Sequence, residues 1–450
     1  MRFTVVLAFL FANVAIAQDT RPNVMLIFVD DLNDWGGFGG HPNILTPNID
    51  RLARQGVRFT RAYANAPACN PSRASILTGI LPSTSGVYWN KQPWRPAMPD
   101  AITLPEYFSA QGYRTTGIGK IFHLPYNDLN AWDEFIPFVR SPEPESRPVN
   151  GKKDSFDWMP MAMGDEDMAD FKTAQSAIDY LDQTFDKPFF LAVGLYKPHL
   201  PWYVPEKYFA MYPPESVTLP LHRDNDLDDV PLQGQLIARD RGDHEFVVKR
   251  GLWKDAIRAY SASITFVDGQ VGRLLDALEK SPHRDNTIVV LLSDHGWHLG
   301  EKEAWRKFTL WEESTRVPFI IRLPSSSTGS ICERTVSLVD LYPTLLELCG
   351  LPQHHRLEGR SLVPLIKVPT SEWKYPALTT QGMGNHAVRS ERWRYIQYFD
   401  GTEELYDHST DPNEWHNLAN KPEYHQIKTE LASWLPKTNA ANAPFEVRNK

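Results

Sequence analysis

Cysteine is scarce. The 450-residue chain holds three, at positions 69, 332 and 349. An odd count excludes a fully paired disulfide framework, and the spacings exclude a close zinc-ligand pair. Cys332 and Cys349 are candidates to pair, which leaves Cys69 as the spare. Basic clusters are also missing. Lys and Arg are scattered and the formal net charge is −8, so nothing points to a nucleic-acid partner. After the first residues, no apolar run reaches the roughly 20 residues that a stable membrane span needs. There are no repeats, no low-complexity tract and no Asn-x-Ser/Thr acceptor, since Asn70 is followed by Pro. "DNDLDD" at 224–229 mimics a calcium loop but lacks the Gly at the sixth place and the Glu at the twelfth. It reads as solvated surface within a charged, irregular loop over 222–245.

What is present begins with a leader. In "MRFTVVLAFLFANVAIA", Arg2 supplies a positive end, residues 5–16 are apolar apart from Asn13, and Ala15-Ile16-Ala17 offers small residues for cleavage. The expectation is a signal peptide over 1–17 and an exported chain, periplasmic or secreted. No cysteine follows the cut, which argues against a lipid anchor there. An exported protein meets an oxidising compartment, so a spare thiol needs a reason. The whole chain is 42% hydrophobic and 23% charged, an ordinary globular balance. Its 14 tryptophans either fill the core or stack on sugars.

Four apolar runs stop abruptly at polar residues. "NVMLIFVDD" ends at Asp30 and Asp31. "YRTTGIGKIFH" reaches Lys120 and His123. "PFFLAVGLYKPHLPW" gives His199, and "TIVVLLSDHGWHLGE" gives Asp294 and His295. Continuous apolar runs of this length suit strands buried on both faces. Between them, "TPNIDRLARQG" and "TLPEYFSAQG" carry helix grammar, with Thr46 or Thr103 as cap, Pro in the first turn and Gly at the close. Two further amphipathic stretches, "YSASITFVDGQVGRLLDALEK" and "SLVDLYPTLLELCG", add helices. Alternating strands and helices predict a doubly wound, mostly parallel α/β sheet. Its ligands would lie outside the carboxyl ends of the strands, where all four polar groups fall. From about residue 370 the pattern changes to short strands with turns at Asp400-Gly401 and Asp411-Pro412. The expected division is a catalytic domain over 18–368 and a smaller antiparallel α+β subdomain over 369–450.

Three carboxylates and a histidine at strand ends suit a hard divalent cation, Ca²⁺ or Mg²⁺ rather than Zn²⁺. "ACNPSRASILTG" then predicts a short helix, opened near Pro71 and closed at Thr78-Gly79. Cys69 lies at or just before its start, where free N–H groups and the dipole favour an anion. Arg73 follows one turn on, and Lys120, His123, His199 and Lys307 are further candidate donors. Cation on one side and Lys, Arg and His on the other form an apparatus for a tetrahedral oxyanion. A bare thiolate beside a hard ion is a poor match. The conflict disappears if the cysteine does not remain a cysteine.

Cys69-Asn70-Pro71-Ser72-Arg73 followed by Leu77-Thr78-Gly79 resembles the signature C-x-P-S-R-x-x-x-L-T-G of type I sulfatases, of the alkaline phosphatase superfamily. "GYRTTGIGK" at 112–120 resembles that family's second signature, and "EGRSLVPL" at 358–365 extends the similarity. "GKIFH", "NKQPWR", "KPHLPW" and "SDHGWHLGE" are similar to the iduronate-2-sulfatase branch. The resemblance implies an alkaline phosphatase-like fold and enzymatic conversion of Cys69 to formylglycine, made by a formylglycine-generating or sulfatase-maturating enzyme. It implies Ca²⁺ held by Asp30, Asp31, Asp294, His295 and an oxygen of modified Cys69. Arg73, Lys120 and His123 would hold the hydrated aldehyde, and His199 and Lys307 would grip sulfate, with His199 protonating the leaving oxygen. One gem-diol oxygen would attack sulfur, the sugar alcohol would leave, and the second hydroxyl would expel sulfate. The implied substrate is a sulfated, uronate-containing saccharide, with 2-O-sulfate a candidate position. Two alternatives stay open: a phosphonate or phosphodiester hydrolase of the same superfamily, and an inactive sulfated-glycan-binding protein with intact Cys69. Trp94 and Trp297 either line the sugar pocket or fill the core. His298 and Arg306 are weaker candidates of the same kind, and His386 and Arg389 are candidates for the pocket rim.

Overall fold

Asn23–Val29 (β1) is buried along its whole length. Its side chains alternate between two cores: Met25, Ile27 and Val29 enter one, and Val24, Leu26 and Phe28 the other. A strand packed on both faces needs no polar side, which is why the run is continuous rather than alternating. The structure, a computed structural model, describes residues 21–446 except 42, 151, 153, 154 and 355. The leader and its cleavage site lie outside the described residues.

The remaining strands of the central sheet are Val57–Tyr63 (β2), Arg114–Gly119 (β3), Glu134–Pro137 (β4), Phe189–Leu195 (β5), Thr287–Ser293 (β6), Arg316–Val317 (β7), Phe319–Arg322 (β8) and Ser330–Ser337 (β9). The nine strands run β2-β8-β6-β1-β5-β3-β4, with β7 and β9 also paired to β2. Only β7 and β8 run antiparallel to their neighbours. The first core is closed by helices Pro47–Gln55, Ala169–Leu181 and the long Trp253–Lys280. The second is closed by Cys69–Thr78, Leu104–Ala110 and Leu341–Leu348. This is the doubly wound, mostly parallel α/β sheet expected from the sequence.

The helix grammar is used in two ways. Thr103 forms a full capping box with Glu106. Thr46 heads its helix but caps no helix N–H. Its hydroxyl accepts from the Gly37 N–H at 2.9 Å and donates to the Asp50 carboxylate within the helix at 3.0 Å, and the buried Asp268 accepts the N–H groups of Asn48 and Ile49 at 3.2 and 2.8 Å.

Four antiparallel strands follow: Ala377–Thr380, His386–Arg389, Trp393–Gln397 and Glu403–Asp407, paired in chain order. A helix, His425–Ala432, comes after them. This sheet abuts the central one through the Thr380 N–H, which donates to the Asn65 carbonyl at 2.9 Å.

Three expectations are corrected. Residues 222–245 are not one irregular loop, since helix Leu232–Arg239 and the start of Asp243–Arg250 lie within them. Leu232 and Leu236 stay exposed, so helical periodicity did not mark the first. "DNDLDD" is not all solvated surface. Asp226 and Leu227 are buried, and Asp226 accepts from Lys302 at 3.2 Å. Cys332 and Cys349 do not pair. Cys332 faces the Pro369 carbonyl, and Cys349 follows the last turn of Leu341–Leu348.

Candidate active site

Four neighbouring parallel strands, β6-β1-β5-β3, end on one edge of the sheet and deliver the predicted residues together. Asp30 and Asp31 follow β1, and Asp294 and His295 follow β6. Lys120 follows β3, and Tyr196, Lys197 and His199 follow β5. On a regular strand Asp30 and Asp31 would point to opposite faces. The backbone instead turns at Asp31, with φ of 61°. Tyr260, in the middle of Trp253–Lys280, holds that turn: its hydroxyl donates to the Asp31 carbonyl at 2.8 Å and accepts from the Asn33 N–H at 3.0 Å.

Helix Cys69–Thr78 begins at Cys69 and is buried throughout. Gly79 closes it with φ of 72°, where a side chain would be strained. Its start places the Cys69 Sγ 3.0 Å from Lys307 Nζ, 3.2 Å from His295 Nε2 and 3.9 Å from Asp31 Oδ1. Lys307 Nζ also bonds Asp31. Ligand atoms of Asp30, Cys69, Asp294 and His295 lie within 4.8 Å of one another, as do those of Asp30, Asp31, Cys69 and His199.

Arg73 is tied into this framework by four hydrogen bonds. Its guanidinium donates to Asp30 Oδ1 at 2.9 Å, to Asp294 Oδ2 at 2.7 Å, and to the carbonyls of Lys120 and Ile121. Lys120 pairs with the other oxygen of Asp30. Ser72, which the sequence did not single out, donates its hydroxyl to the Asp294 carbonyl. The chain therefore balances its buried carboxylates with fixed cations.

Burial alone would raise the Asp30 carboxyl, but Lys120 and Arg73 hold it well below the usual range. Burial pushes Asp31 up to about 7, against the pull of Lys307 and with the help of Asp30. The Cys69 thiol, despite its burial, is lowered by Lys307 and Lys120. Burial and the neighbouring lysines keep His199 well below an ordinary histidine. They also push His123 down to about 3. His199 Nδ1 faces the Leu200 carbonyl at 2.6 Å. A carbonyl only accepts, so the neutral ring carries its proton there and turns an accepting Nε2 toward Asp31, 3.8 Å away.

Lys120, His123 and His199 line a cavity of about 250 Å³ together with Phe138, Arg140, Tyr196 and Tyr203. The proposed tryptophans are not in it. Trp94 is buried, stacked on Phe122 at 4.8 Å, and its indole N–H donates to the Tyr126 carbonyl. Trp297 is buried against Tyr260. Both are buried in the apolar cores, each with a cation over its ring: Arg95 at 4.4 Å from Trp94 and Lys307 at 5.4 Å from Trp297.

The weaker candidates are also buried in internal pairs. His298 meets Thr309 at 2.7 Å, and Arg306 pairs with Asp243 at 2.6 Å. His386 meets Thr380 at 3.0 Å, and Arg389 pairs with Glu312 at 3.2 Å. Sequence reasoning missed Tyr260, Tyr196 and Arg140. Tyr196 stood within a quoted strand end, whereas Tyr260 and Arg140 carried no local signal.

A doubly wound sheet with a caged carboxylate–cation cluster at its strand ends places the protein among the alkaline phosphatase-like α/β hydrolases. Solved structures agree on the fold. A phosphonate monoester hydrolase of Agrobacterium radiobacter superposes with a TM-score of 0.78 at 24% identity, over 92% of this chain and 94% of that one. A structure in complex with its substrate D-glucosamine-2-N,6-O-disulfate gives 0.71 at 25% identity, over 92% and 96%.

The family is narrower: this chain belongs to the sulfatases, whose model matches residues 22–351, and it is a sulfuric ester hydrolase. The model for the N-sulphoglucosamine sulphohydrolase C-terminal region matches residues 300–441. A sulfatase of Formosa agariphila is 42% identical over 443 residues, 93% of this chain and 87% of the relative. Iduronate 2-sulfatase of Mus musculus is 32% identical over 380 residues, 73% and 69%. The Δ4,5-hexuronate-2-O-sulfatase of Bacteroides thetaiotaomicron is 29% identical over 446 residues, 92% and 88%.

Proposed function

We propose that the protein removes O-sulfate from sulfated saccharides, with uronate-bearing glycosaminoglycan or algal polysaccharide fragments favoured and 2-O-sulfate a candidate position. The observation that carries this is the convergence of Lys307, His295 and Asp31 on Cys69 at the start of its helix. The names of its relatives, which include iduronate, hexuronate and ulvan sulfatases, supply the substrate class.

In the same proposal residue 69 is converted to formylglycine by a maturating enzyme. Ca²⁺ is held by Asp30, Asp31, Asp294, His295 and an oxygen of the modified residue. The donor set fits: it is dominated by hard carboxylate oxygens, and the buried Asp31 Oδ2 has no hydrogen-bond partner. When present, the hydrated aldehyde supplies an oxygen nucleophile and the ion stabilises developing charge. Arg73 sets the carboxylates Asp30 and Asp294 in place. Lys307, beside position 69, offsets the charge of the bound sulfate. His199 accepts a proton from solvent in the cavity at Nε2 and delivers it to the leaving sugar oxygen. His123, kept neutral beside Lys120, presents an acceptor or donor without adding charge. The leader supports export to the periplasm or beyond. Among the described residues no helix is long and apolar enough to cross a membrane.

Sulfate release from a panel of defined sulfated oligosaccharides, run beside phenyl sulfate and phenyl phosphonate, tests the function. Faster turnover of the phosphonate would move the assignment to phosphorus chemistry. An active preparation whose residue-69 peptide keeps the mass of an intact cysteine would overturn the nucleophile. Saccharide binding with that intact mass and no turnover would mark a binding protein.

A further inference from the structure

The cavity beside the catalytic cluster has one wall that no motif marked, formed by residues 138–143. Phe138, Arg140 and Glu143 of this wall line the cavity together with Lys120, His123 and His199. Phe138 in this wall stacks on Tyr196, with ring centroids 4.9 Å apart and planes at 26°. This leaves an aromatic surface against which a sugar ring can lie.

The charged groups around the cavity divide into those already engaged and one that is not. Lys197 is buried, and its ammonium is taken up by the carbonyls of Pro201 and His199. Glu143 is engaged by Arg147. Lys120 is held by Asp30. Arg140 is exposed, and among the described residues it makes no hydrogen bond or ion pair. A guanidinium is always charged, and its planar fork matches the two oxygens of a carboxylate or sulfate.

Lys120 and His199 belong both to the cluster around Cys69 and to the cavity lining, so a sulfate ester placed at Cys69 and Lys307 would direct the sugar skeleton toward this cavity. Its neighbouring substituents then meet the 138–143 wall. We propose that Arg140 recognises a second anionic group on the substrate, a carboxylate or a further sulfate beside the ester being cleaved. This rests on the saccharide-sulfatase function proposed above.

Calorimetric binding to the non-turning-over Cys69→Ala protein, with Arg140 intact or changed to Gln, tests it. Three disaccharides are compared: one with a uronate 2-O-sulfate, its carboxyl-reduced form, and the carboxyl-reduced form carrying a second sulfate. Loss of one charge-assisted pair predicts that Arg140→Gln weakens the dianionic ligand about tenfold. The carboxyl-reduced monosulfate should change by less than about twofold, and Arg140→Lys should fall between. Whichever dianion loses affinity identifies the group that Arg140 reads. Equal weakening of all three ligands, or of neither dianion, overturns the assignment while leaving the sulfatase function standing. Failure of all three to bind the Arg140 protein would sink both proposals.

Discussion

Changing Arg394 to Met should weaken the fold and, through one segment, the chemistry. Arg394 lies in the C-terminal sheet and is fully buried. Its guanidinium donates to the Leu310 carbonyl at 2.8 Å and pairs with Glu312 and Glu414. Glu414 in turn accepts from the Glu312 N–H at 3.0 Å. Without the guanidinium two buried carboxylates face each other. Arg389 and Arg316, at 3.2 and 3.4 Å from Glu312, remain, and His408 stays hydrogen-bonded to Glu414 at 2.9 Å.

Removing one partner of a buried pair costs ~3–5 kcal/mol. Because Arg389 and His408 stay, we expect the low end, about 3 kcal/mol, or a factor of roughly 150 in the folding equilibrium. The same contacts anchor the segment that carries Lys307. That segment takes positive φ at Lys302, Glu303, Arg306 and Phe308, of 51°, 51°, 67° and 83°. Left-handed conformations of non-glycine residues cost on the order of 1–3 kcal/mol each and persist only where their surroundings enforce them. Arg394→Met should therefore lower the denaturation midpoint, and it should lower kcat about tenfold or more as Lys307 leaves Cys69. Circular dichroism through a denaturant series, paired with turnover in buffer, reads both. A variant with the wild-type midpoint would refute the energetic argument. A lowered midpoint with unchanged kcat would refute the link to Lys307.

Cys69→Ala should abolish turnover yet melt within a few degrees of wild type, because the change removes one small side chain at the sheet edge. Cys69→Ser should also be inactive in a host that lacks serine-converting machinery. Full activity in either would exclude the nucleophile. Chelation with EGTA should remove activity and also lower the melting temperature, since a ligand bound only by the folded chain stabilises it. Calcium should restore both, and indifference of both to chelation would exclude the ion. Thiol titration gives an independent count. Burial pushes the Cys349 thiol up to about 12 and raises that of Cys332, so neither should react in the native enzyme. In denaturant the mature protein should expose two thiols and an unconverted one three. Three thiols in a fully active sample would contradict the conversion.

The sheet and its chemistry were largely legible in the sequence because both are written locally. Strand β1 is a run of apolar residues that terminates at Asp30 and Asp31, and a buried parallel strand requires just such a run. The helix at Cys69 carries its own start and stop, and the signature through Gly79 named the family before any contact was known. What stayed hidden depended on residues distant in sequence. Tyr260 looks like one more aromatic in a long helix until its hydroxyl is found against the turn at Asp31. Trp94 and Trp297 could equally have lined a pocket, and only packing assigns them to the core. Arg73 was expected to face the anion, and only the fold shows that four of its hydrogen bonds go to Asp30, Asp294 and two carbonyls.

The sequence by itself therefore determined the order of strands and helices along the chain, the family, and the candidate site residues, since those are properties of short segments. The tertiary structure alone decided which charges are satisfied and which remain available. Hydrogen bonding and desolvation depend on neighbours brought together from across the chain: Arg394 with Leu310, Tyr260 with Asp31, and Arg140, among the described residues, with none.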